Sequence, residues 1–251
     1  MITSTSNARI RALVHLKKSV KDRAAEDLFL VEGAKMFSEV PKELLKEAYV
    51  SESFAKEHNV PGAEVVTDAV FQYLSDTQSP QGIFAAVKMQ HYRPADLLTG
   101  GKPLVMVLEN LQDPGNLGTI IRTAEGAGVT GILMSRGTAD LYNPKVTRST
   151  MGSIFRMPFY YSEDLGRDIL WLKKEGVRCC AAHLTGKNTY DKENFCGATA
   201  FLIGNESRGL SDEISALADV RVRIPMCGKV ESLNAAVASA ILMYEARRQR
   251  G

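Results

Sequence analysis

The sequence predicts an α/β protein with two domains, of which the second is built on a mostly parallel β-sheet. Short apolar segments alternate with helical patterns along most of the 251 residues, which is the element order of α/β folds. In the C-terminal part these apolar segments are continuous, as expected for strands that are covered on both faces of a parallel sheet. Between the two parts, residues 91–103 contain two prolines and a Gly-Gly pair, which predicts a linker.

The region before this linker predicts a small α/β domain over residues 1–93. Its apolar segments are LFLV, AYV and GIFAAV, and its helical stretches are AKMFSEV and DAVFQYL. Residues 94–103 form the predicted linker, and residues 104–251 form the second domain. The predicted strands of that domain lie at residues 104–109, 132–135, 177–184, 199–204 and 220–225.

The last predicted helix runs from about Leu233 to Gln249. Its small residues allow close packing against another element, either in this chain or in a partner. Its basic end, EARRQRG, suits the negative pole of a helix as well as it suits RNA. A buried stripe is predicted at Leu233, Ala236, Val237, Ala240, Ile241 and Tyr244, which recur with helical spacing.

Composition excludes several classes of protein. A hydrophobic content of 45% and a charged content of 24% are typical of folded soluble domains. No apolar run reaches the ~20 residues of a membrane helix, and basic residues interrupt the N-terminus where a signal peptide would be apolar. The chain is therefore predicted to be cytoplasmic and not to contact a membrane. The four cysteines show no CxxC spacing, so neither a metal site nor a disulfide framework is expected.

A basic cluster lies near the N-terminus, although the net charge of the whole chain is only +2. It is a candidate surface for a polyanion such as RNA, and a solvated helix face is the alternative. The residues predicted to bind RNA are Arg9, Arg11, Lys17, Lys18 and Arg23.

Two nucleotide-binding motifs are excluded by their context. GAGVTG at residues 126–131 matches the dinucleotide fingerprint formally, but that fingerprint needs a strand before the glycines and a helix after them. Here the predicted order is reversed, so these glycines end a helix. No GK pair is followed by the Ser or Thr of a P-loop.

Three loops with polar side chains follow predicted strands of the second domain. The first leads into a helix with Asn116 and Arg122, and the second carries Glu206. The third reaches Ser232 and Asn234 at another helix start. Because open α/β sheets bind ligands at the carboxyl ends of their strands, the three loops together predict a binding site.

These three stretches, NLQDPGNLGTIIR, FLIGNESRGLS and IPMCGKVESLNAAVASAI, resemble the ordered motifs of the SpoU (TrmH-type) RNA 2′-O-ribose methyltransferases of the SPOUT superfamily. The LFLVEGAKM stretch resembles the small ribosomal-protein-like RNA-binding domain of that family. The resemblance covers essentially the whole chain. It implies a parallel sheet with a deep trefoil knot, a homodimer and S-adenosylmethionine as the cofactor.

The resemblance also implies roles for individual residues. Backbone groups around Gly204, Ile224 and Leu233 are expected to hold the adenosyl group, and Met226 and Ala235 to line its apolar pocket. The full set expected to bind the cofactor is Gly204, Asn205, Gly209, Ile224, Pro225, Met226, Leu233 and Ala235. The set expected to surround the transferred methyl group and the ribose is Asn116, Arg122, Glu206, Ser232 and Asn234.

Arg122 is either a general base or a clamp for phosphate and hydroxyl. A guanidinium rarely gives up its proton in a protein, which favours a clamp oriented by Glu206. A surface ion pair with Glu125 or another acid is the structural alternative. The resulting hypothesis is 2′-O-ribose methylation of structured RNA, with ribosomal RNA favoured over transfer RNA. A non-catalytic RNA-binding protein, or an enzyme that methylates a base nitrogen, are the alternatives.

Overall fold

The computed structural model describes residues 1–251 and divides into two compact units. The first unit is Met1–Gln90 together with Asp140–Phe155, and the second is His91–Ala139 together with Arg156–Gly251. The expected division at residues 93 and 104 assigns residues 140–155 to the second domain, whereas in the structure this segment packs with the first unit. Leu97, in the predicted linker, is fully buried in the core of the second unit.

The first unit contains a four-stranded mixed sheet. Its strand order is β1-β4-β2-β3, with β4 antiparallel to both neighbours and β3 parallel to β2. Its elements are α1 (Ala8–Lys18), α2 (Val20–Glu26), β1 (Leu28–Glu32), α3 (Ala34–Ser38), β2 (Leu45–Ser51), α4 (Glu52–Glu57), β3 (Glu64–Val66), α5 (Asp68–Leu74), β4 (Ile83–Lys88) and, from the later segment, α7 (Pro144–Ser149).

Residues 140–155 belong to the first unit because apolar and polar contacts hold them there. The ring of Tyr142 lies 4.5 Å from that of Phe29, and the Tyr142 hydroxyl accepts a 2.9 Å hydrogen bond from the backbone N–H of Gln90. Asp140 pairs with the buried guanidinium of Arg23. No local sequence pattern indicates these partners, which are far away along the chain.

The second unit contains a sheet of seven parallel strands in the order β7-β6-β5-β10-β8-β11-β9. Its elements are β5 (Leu104–Leu108), α6 (Pro114–Ala127), β6 (Gly131–Ser135), β7 (Phe159–Ser162), α8 (Leu165–Lys174), β8 (Arg178–Ala182), β9 (Asn188–Thr189), β10 (Thr199–Ile203), α9 (Asp212–Leu217), β11 (Val220–Arg223) and α10 (Ala235–Arg250). This confirms the predicted parallel α/β fold. The knot stays a prediction.

The register of two central strands determines where the loops meet. β5 and β10 are neighbours, paired from Leu104 with Thr199 to Leu108 with Ile203. Both strands therefore end at the same edge of the sheet, and the loops that begin at Glu109 and Gly204 leave it side by side. Helix α10 packs against α6, which brings the start of α10 toward the same edge.

The predicted stripe of α10 is wrong in part. Val237 and Tyr244 are 48% and 52% exposed, and Leu233 precedes the helix. Ala236 is buried as predicted, and Ser239, which lies outside the predicted stripe, is buried as well. These small side chains permit the close approach of α6. The residues that α10 buries are Ala235, Ala236, Ser239, Leu242, Met243, Glu245 and Ala246.

Candidate active site

Glu206 ties together the loops that follow β5 and β10. Its carboxylate accepts hydrogen bonds from the backbone N–H groups of Gln112, at 3.1 Å, and Asp113, at 2.9 Å. It also accepts a 3.1 Å bond from the side-chain amide of Asn116. Asp113 caps α6 by accepting a 2.7 Å bond from the Asn116 backbone N–H, as aspartate does at helix starts. The carboxylate of Glu206 therefore organises the whole entrance to α6.

Asn116 extends this network to the third loop. While its Nδ2 donates to Glu206, its Oδ1 accepts a 2.9 Å bond from Nδ2 of Asn234. Asn234 in turn caps α10, because its Oδ1 accepts from the N–H groups of Ala236 and Val237 at 2.9 and 3.3 Å. One chain of hydrogen bonds thus joins all three loops that the sequence pointed to.

The charge of Glu206 is stabilised by this arrangement. Partial burial opposes its ionisation, but hydrogen bonds from the Asn116 side chain and from the backbone outweigh burial and lower the pKa of Glu206 below its ordinary value. A carboxylate in its charged form can only accept hydrogen bonds. Glu206 is therefore a fixed acceptor at neutral pH.

The loop after β10 folds tightly on itself. Asn205 and Gly209 exchange backbone hydrogen bonds of 3.0 and 2.8 Å, and Gly209 has a positive φ of 70°, which favours glycine. A Cβ on Gly204 would lie 2.0 Å from backbone atoms of Gly209 and Leu210. The fold of this loop therefore requires glycine at both positions: a side chain at residue 204 would clash with the backbone, and residue 209 has a positive φ.

Two residues that sequence reasoning missed hold this loop in place. The buried carboxylate of Glu109 accepts 2.8 and 2.6 Å bonds from the backbone N–H and hydroxyl of Ser211. Asn110, whose φ is positive at 53°, accepts a 2.8 Å bond at its carbonyl from the Asn205 side chain. The position of Glu109, directly after a buried strand, was a signal that could have identified it.

Arg122 and Ser232 stand outside the network. Both are exposed, and neither side chain makes a hydrogen bond or ion pair within the chain. The expectation that Glu206 orients Arg122 is wrong in this structure, because Glu206 bonds to the α6 entrance instead. The alternative ion pair with Glu125 is also wrong, since Glu125 pairs with Arg156. The guanidinium of Arg122 is thus free to contact a ligand.

Residues 224–233 form an irregular segment between β11 and α10. None of their backbone N–H or C=O groups bonds to another part of the chain. Ile224, Met226 and Leu233 are half-buried in this segment, and Ala235 is buried at the start of α10. Free backbone groups beside apolar side chains are a surface that fits a nucleoside such as the adenosyl group of S-adenosylmethionine.

The predicted RNA-binding residues divide into two groups. Arg23 is 2% exposed and donates to the carbonyls of Leu16 and Lys17, and Lys17 bonds to the Leu74 carbonyl and to Asp76. These two side chains hold the first unit together, which corrects the expectation that they face RNA. Those still exposed are Arg9, Arg11 and Lys18.

The structure contains no cluster of three or more His, Cys, Asp or Glu side chains arranged to hold a metal ion. None of its helices combines the length and the apolar character that a membrane crossing requires.

Two family profiles match the chain, one before and one after residues 86–102. The sequence profile described as the SpoU rRNA Methylase family matches residues 103–244. The profile described as an MRM3-like substrate binding domain matches residues 7–85.

Individual relatives match nearly the full length of this chain. The Bacillus subtilis protein named 23S rRNA (guanosine(2553)-2′-O)-methyltransferase RlmP is 32% identical over 98% of both chains. The human mitochondrial rRNA methyltransferase 3 is 30% identical over 96% of this chain and 72% of its own. The crystal structure of AviRb from Streptomyces viridochromogenes, solved with the cofactor AdoMet, superposes with a TM-score of 0.87 at 27% identity, over 97% of this chain and 98% of that one.

Proposed function

The chain belongs to the SpoU rRNA methylase family, and from this premise we propose that it methylates a ribose 2′-hydroxyl of ribosomal RNA with S-adenosylmethionine as the donor. The observation that carries the proposal is the hydrogen-bond chain from Glu206 through Asn116 to Asn234. It fixes three loops at one edge of the sheet and leaves Arg122 unpaired beside them on α6. The AdoMet complex of the similar AviRb structure supports the choice of donor.

Residues 224–233 and the start of α10 are proposed to hold the donor. Their free backbone groups read the edge of an adenine, while Met226, Leu233 and Ala235 cover its apolar surface. S-adenosylmethionine supplies a methyl group bound to a positively charged sulfur. Gly204 and Gly209 shape the loop after β10, and the predicted roles of Gly204, Asn205, Gly209 and Pro225 toward the methyl donor stay predictions.

Arg122 is proposed to position the RNA rather than to take its proton. A guanidinium keeps its charge and presents a planar fork of N–H donors, which suits a phosphate and a hydroxyl together. Holding two reactants in an aligned geometry supplies much of the acceleration in a bimolecular transfer. Ser232, also exposed and unbonded, is proposed to contact the ribose.

Ribosomal RNA is favoured over transfer RNA as the substrate. The Bacillus subtilis relative, which aligns with this chain over nearly its whole length, is named for 23S rRNA. The profile that matches residues 7–85 describes a substrate-binding domain, which supports the first unit as the part that delivers RNA. A substrate of this kind supports the cytoplasm as the place of action.

A homodimer is proposed on the exposed face of α10. Val237 and Tyr244 are about half exposed and Ile241 is partly exposed, so one side of the helix presents an apolar surface that needs a partner. Symmetric pairing of such a face is the commonest form of protein oligomer. Light scattering at micromolar concentration tests it: a dimeric mass is expected for the wild type and a monomeric mass for Tyr244→Glu. A monomeric wild type with full activity would contradict it.

The proposed function is tested by two measurements on the purified protein. Calorimetry with S-adenosylmethionine is expected to show one site per chain, which a non-catalytic RNA-binding protein would lack. Transfer of labelled methyl groups to ribosomal RNA, followed by digestion to nucleosides, is expected to yield 2′-O-methylated nucleosides. Label on a base would favour base methylation, and label on transfer RNA alone would favour a tRNA enzyme.

A further inference from the structure

A cleft of about 500 Å³ lies in the first unit, between the α1–α2 pair and the sheet. Its floor is apolar and consists of the buried residues Leu13, Leu16, Tyr49 and Ala86. The volume is within the ~300–1,000 Å³ that is common for ligand sites. No residue of the proposed methyl-donor site contributes to this cleft.

The charged groups that line the rim of the cleft are of both signs: Arg9, Lys46, Asp22, Glu26 and Glu47, together with His15, which lies 3.5 Å from Asp22. Lys46 is exposed and makes no ion pair within the chain. Oε2 of Glu47 accepts a short hydrogen bond from the Tyr49 hydroxyl, and its Oε1 has no donor. Arg9 is 62% exposed and makes only a 3.6 Å contact with Glu64, a kind of surface pair that is weak and readily exchanged.

The Glu47 carboxylate on the rim is held in one orientation by the Tyr49 hydroxyl. Burial, followed by the hydrogen bond and charge of Glu47, raises the pKa of Tyr49. Its hydroxyl therefore stays protonated and continues to donate to Oε2, which orients the carboxylate. Charged carboxylates accept hydrogen bonds and donate none.

We propose that this cleft accepts an unpaired guanine base of the RNA substrate, an inference that rests on the proposed function of the chain. The apolar floor covers one face of the base, and Lys46 and Arg9 lie where the flanking phosphates need cations. Guanine offers two adjacent N–H donors on its Watson–Crick edge, which complement a carboxylate, and unpaired bases are read along this edge. Uracil presents carbonyl oxygens on both sides of its single N–H, and these repel the same carboxylate.

The charged groups on the rim favour a nucleotide over a peptide as the occupant. β4, which contributes Ala86 to the floor, lies between β1 and β2 and is paired on both sides. Strand addition, a common way of binding extended chains, is therefore not available at β4. The rim offers side-chain carboxylates and cations instead, which match the donors and phosphates of a nucleotide.

The test compares the affinities of labelled RNA heptamers for the full chain at low salt, without methyl donor, by fluorescence anisotropy. UUUGUUU is expected to bind about tenfold more tightly than UUUUUUU, the discrimination that a paired donor–acceptor contact provides. Glu47→Gln is expected to reduce this ratio to about twofold or less, while the exposed control Glu43→Gln keeps it. Ala25→Trp, which fills the cleft, is expected to weaken binding of UUUGUUU, whereas the neighbouring Ala24→Trp does not.

Three results would overturn the inference. These are equal affinities for the two heptamers in the wild type, no binding of either, or the same selectivity in Glu47→Gln as in the wild type. Thermal unfolding by circular dichroism verifies that each variant is folded. Because no methyl donor is present, equal heptamer affinities would refute guanine binding in the cleft and leave the proposed methyltransferase function standing. Absence of methyl transfer with intact selectivity would refute the function alone.

Discussion

Asn116 donates a 3.1 Å hydrogen bond to the carboxylate of Glu206, from a position 90 residues earlier in the chain. The bond exists because β5 and β10 are adjacent parallel strands that end in register. It converts two separate loops into one rigid edge, and Asn234 attaches the third loop to it. The site is therefore a product of strand order.

Replacing Glu206 is expected to loosen this edge. Glu206→Gln removes the charge that four donors share and turns one acceptor into a donor that faces other donors. We expect a loss of about 1.5–3 kcal/mol in unfolding free energy, as for hydrogen bonds to charged groups, and weaker S-adenosylmethionine binding. Urea unfolding and calorimetry measure both. Glu175→Gln, at an exposed position, is the control and should change neither.

The pH dependence follows from the lowered pKa of Glu206. A group whose folded-state pKa is lowered stabilises the protein above its unfolded pKa, and this contribution is lost as the pH falls through the folded value. The stability difference between wild type and Glu206→Gln should thus be constant near neutral pH and shrink below the ordinary glutamate range. A difference that grows in acid would contradict this assignment.

Two substitutions at Asn234 separate its two bonds. Asn234→Asp keeps the acceptor that caps α10 but places a carboxylate oxygen against Oδ1 of Asn116 in place of an N–H donor, so we expect a loss of about 0.5–1.5 kcal/mol of stability, the size of one net hydrogen bond, and weaker binding of S-adenosylmethionine. Asn234→Ala loses the cap as well, at a further cost of about 0.5–2 kcal/mol. Equal affinities of Asn234→Asp and wild type for S-adenosylmethionine would show that the hydrogen bond to Asn116 is dispensable.

Arg122→Lys tests the clamp. Lysine keeps the charge but not the planar fork, so methyl transfer should fall by more than about tenfold at every pH while S-adenosylmethionine affinity stays. Single-turnover transfer at several pH values, beside calorimetry, measures this. Arg167→Lys, another exposed and unpaired arginine, is the control. Near-wild-type transfer would remove Arg122 from the site, and activity with an altered pH profile would favour a general base.

Arg250 fastens the end of α10. Its guanidinium donates to the carbonyls of Phe195, Lys102 and Gly197 at 2.9, 2.9 and 2.6 Å. Lysine cannot reach all three carbonyls at once, so Arg250→Lys should cost about 0.5–1.5 kcal/mol of stability, the net contribution of a hydrogen bond; water can replace the donor at the exposed carbonyls of Lys102 and Gly197. Urea unfolding checks this value, and Arg247→Lys, whose only bond is to the terminal Gly251, should be close to neutral.

Removing residues 1–93 is expected to destabilise the remaining chain. Tyr142, Val146 and Phe155 are buried in the first unit, and deletion of their partners would expose them. The fragment should bind a hydrophobic dye and aggregate. A stable, monodisperse fragment would instead support the predicted domain limits of 1–93 and 104–251.

The sequence predicted the parallel sheet and its loops because buried strands are continuously apolar and glycines mark the turns after them. It did not predict β7, which reads FYYS and is half-buried, or the place of residues 140–155, whose partners are distant in sequence. The local density of basic residues also suggested that Lys17 and Arg23 face RNA, although both side chains bond within the first unit. Hydrogen bonding between distant residues, as at Glu109 and Ser211, leaves no periodic signal.

The most direct test of the account is a map of ribose 2′-O-methylation on ribosomal RNA from cells with and without this protein. In cells without the protein, one ribose of ribosomal RNA is expected to lack its methyl group. Expression of the wild type is expected to restore this methyl group, and expression of Arg122→Lys is not. Identical maps with and without the protein, or restoration by Arg122→Lys, would contradict the account.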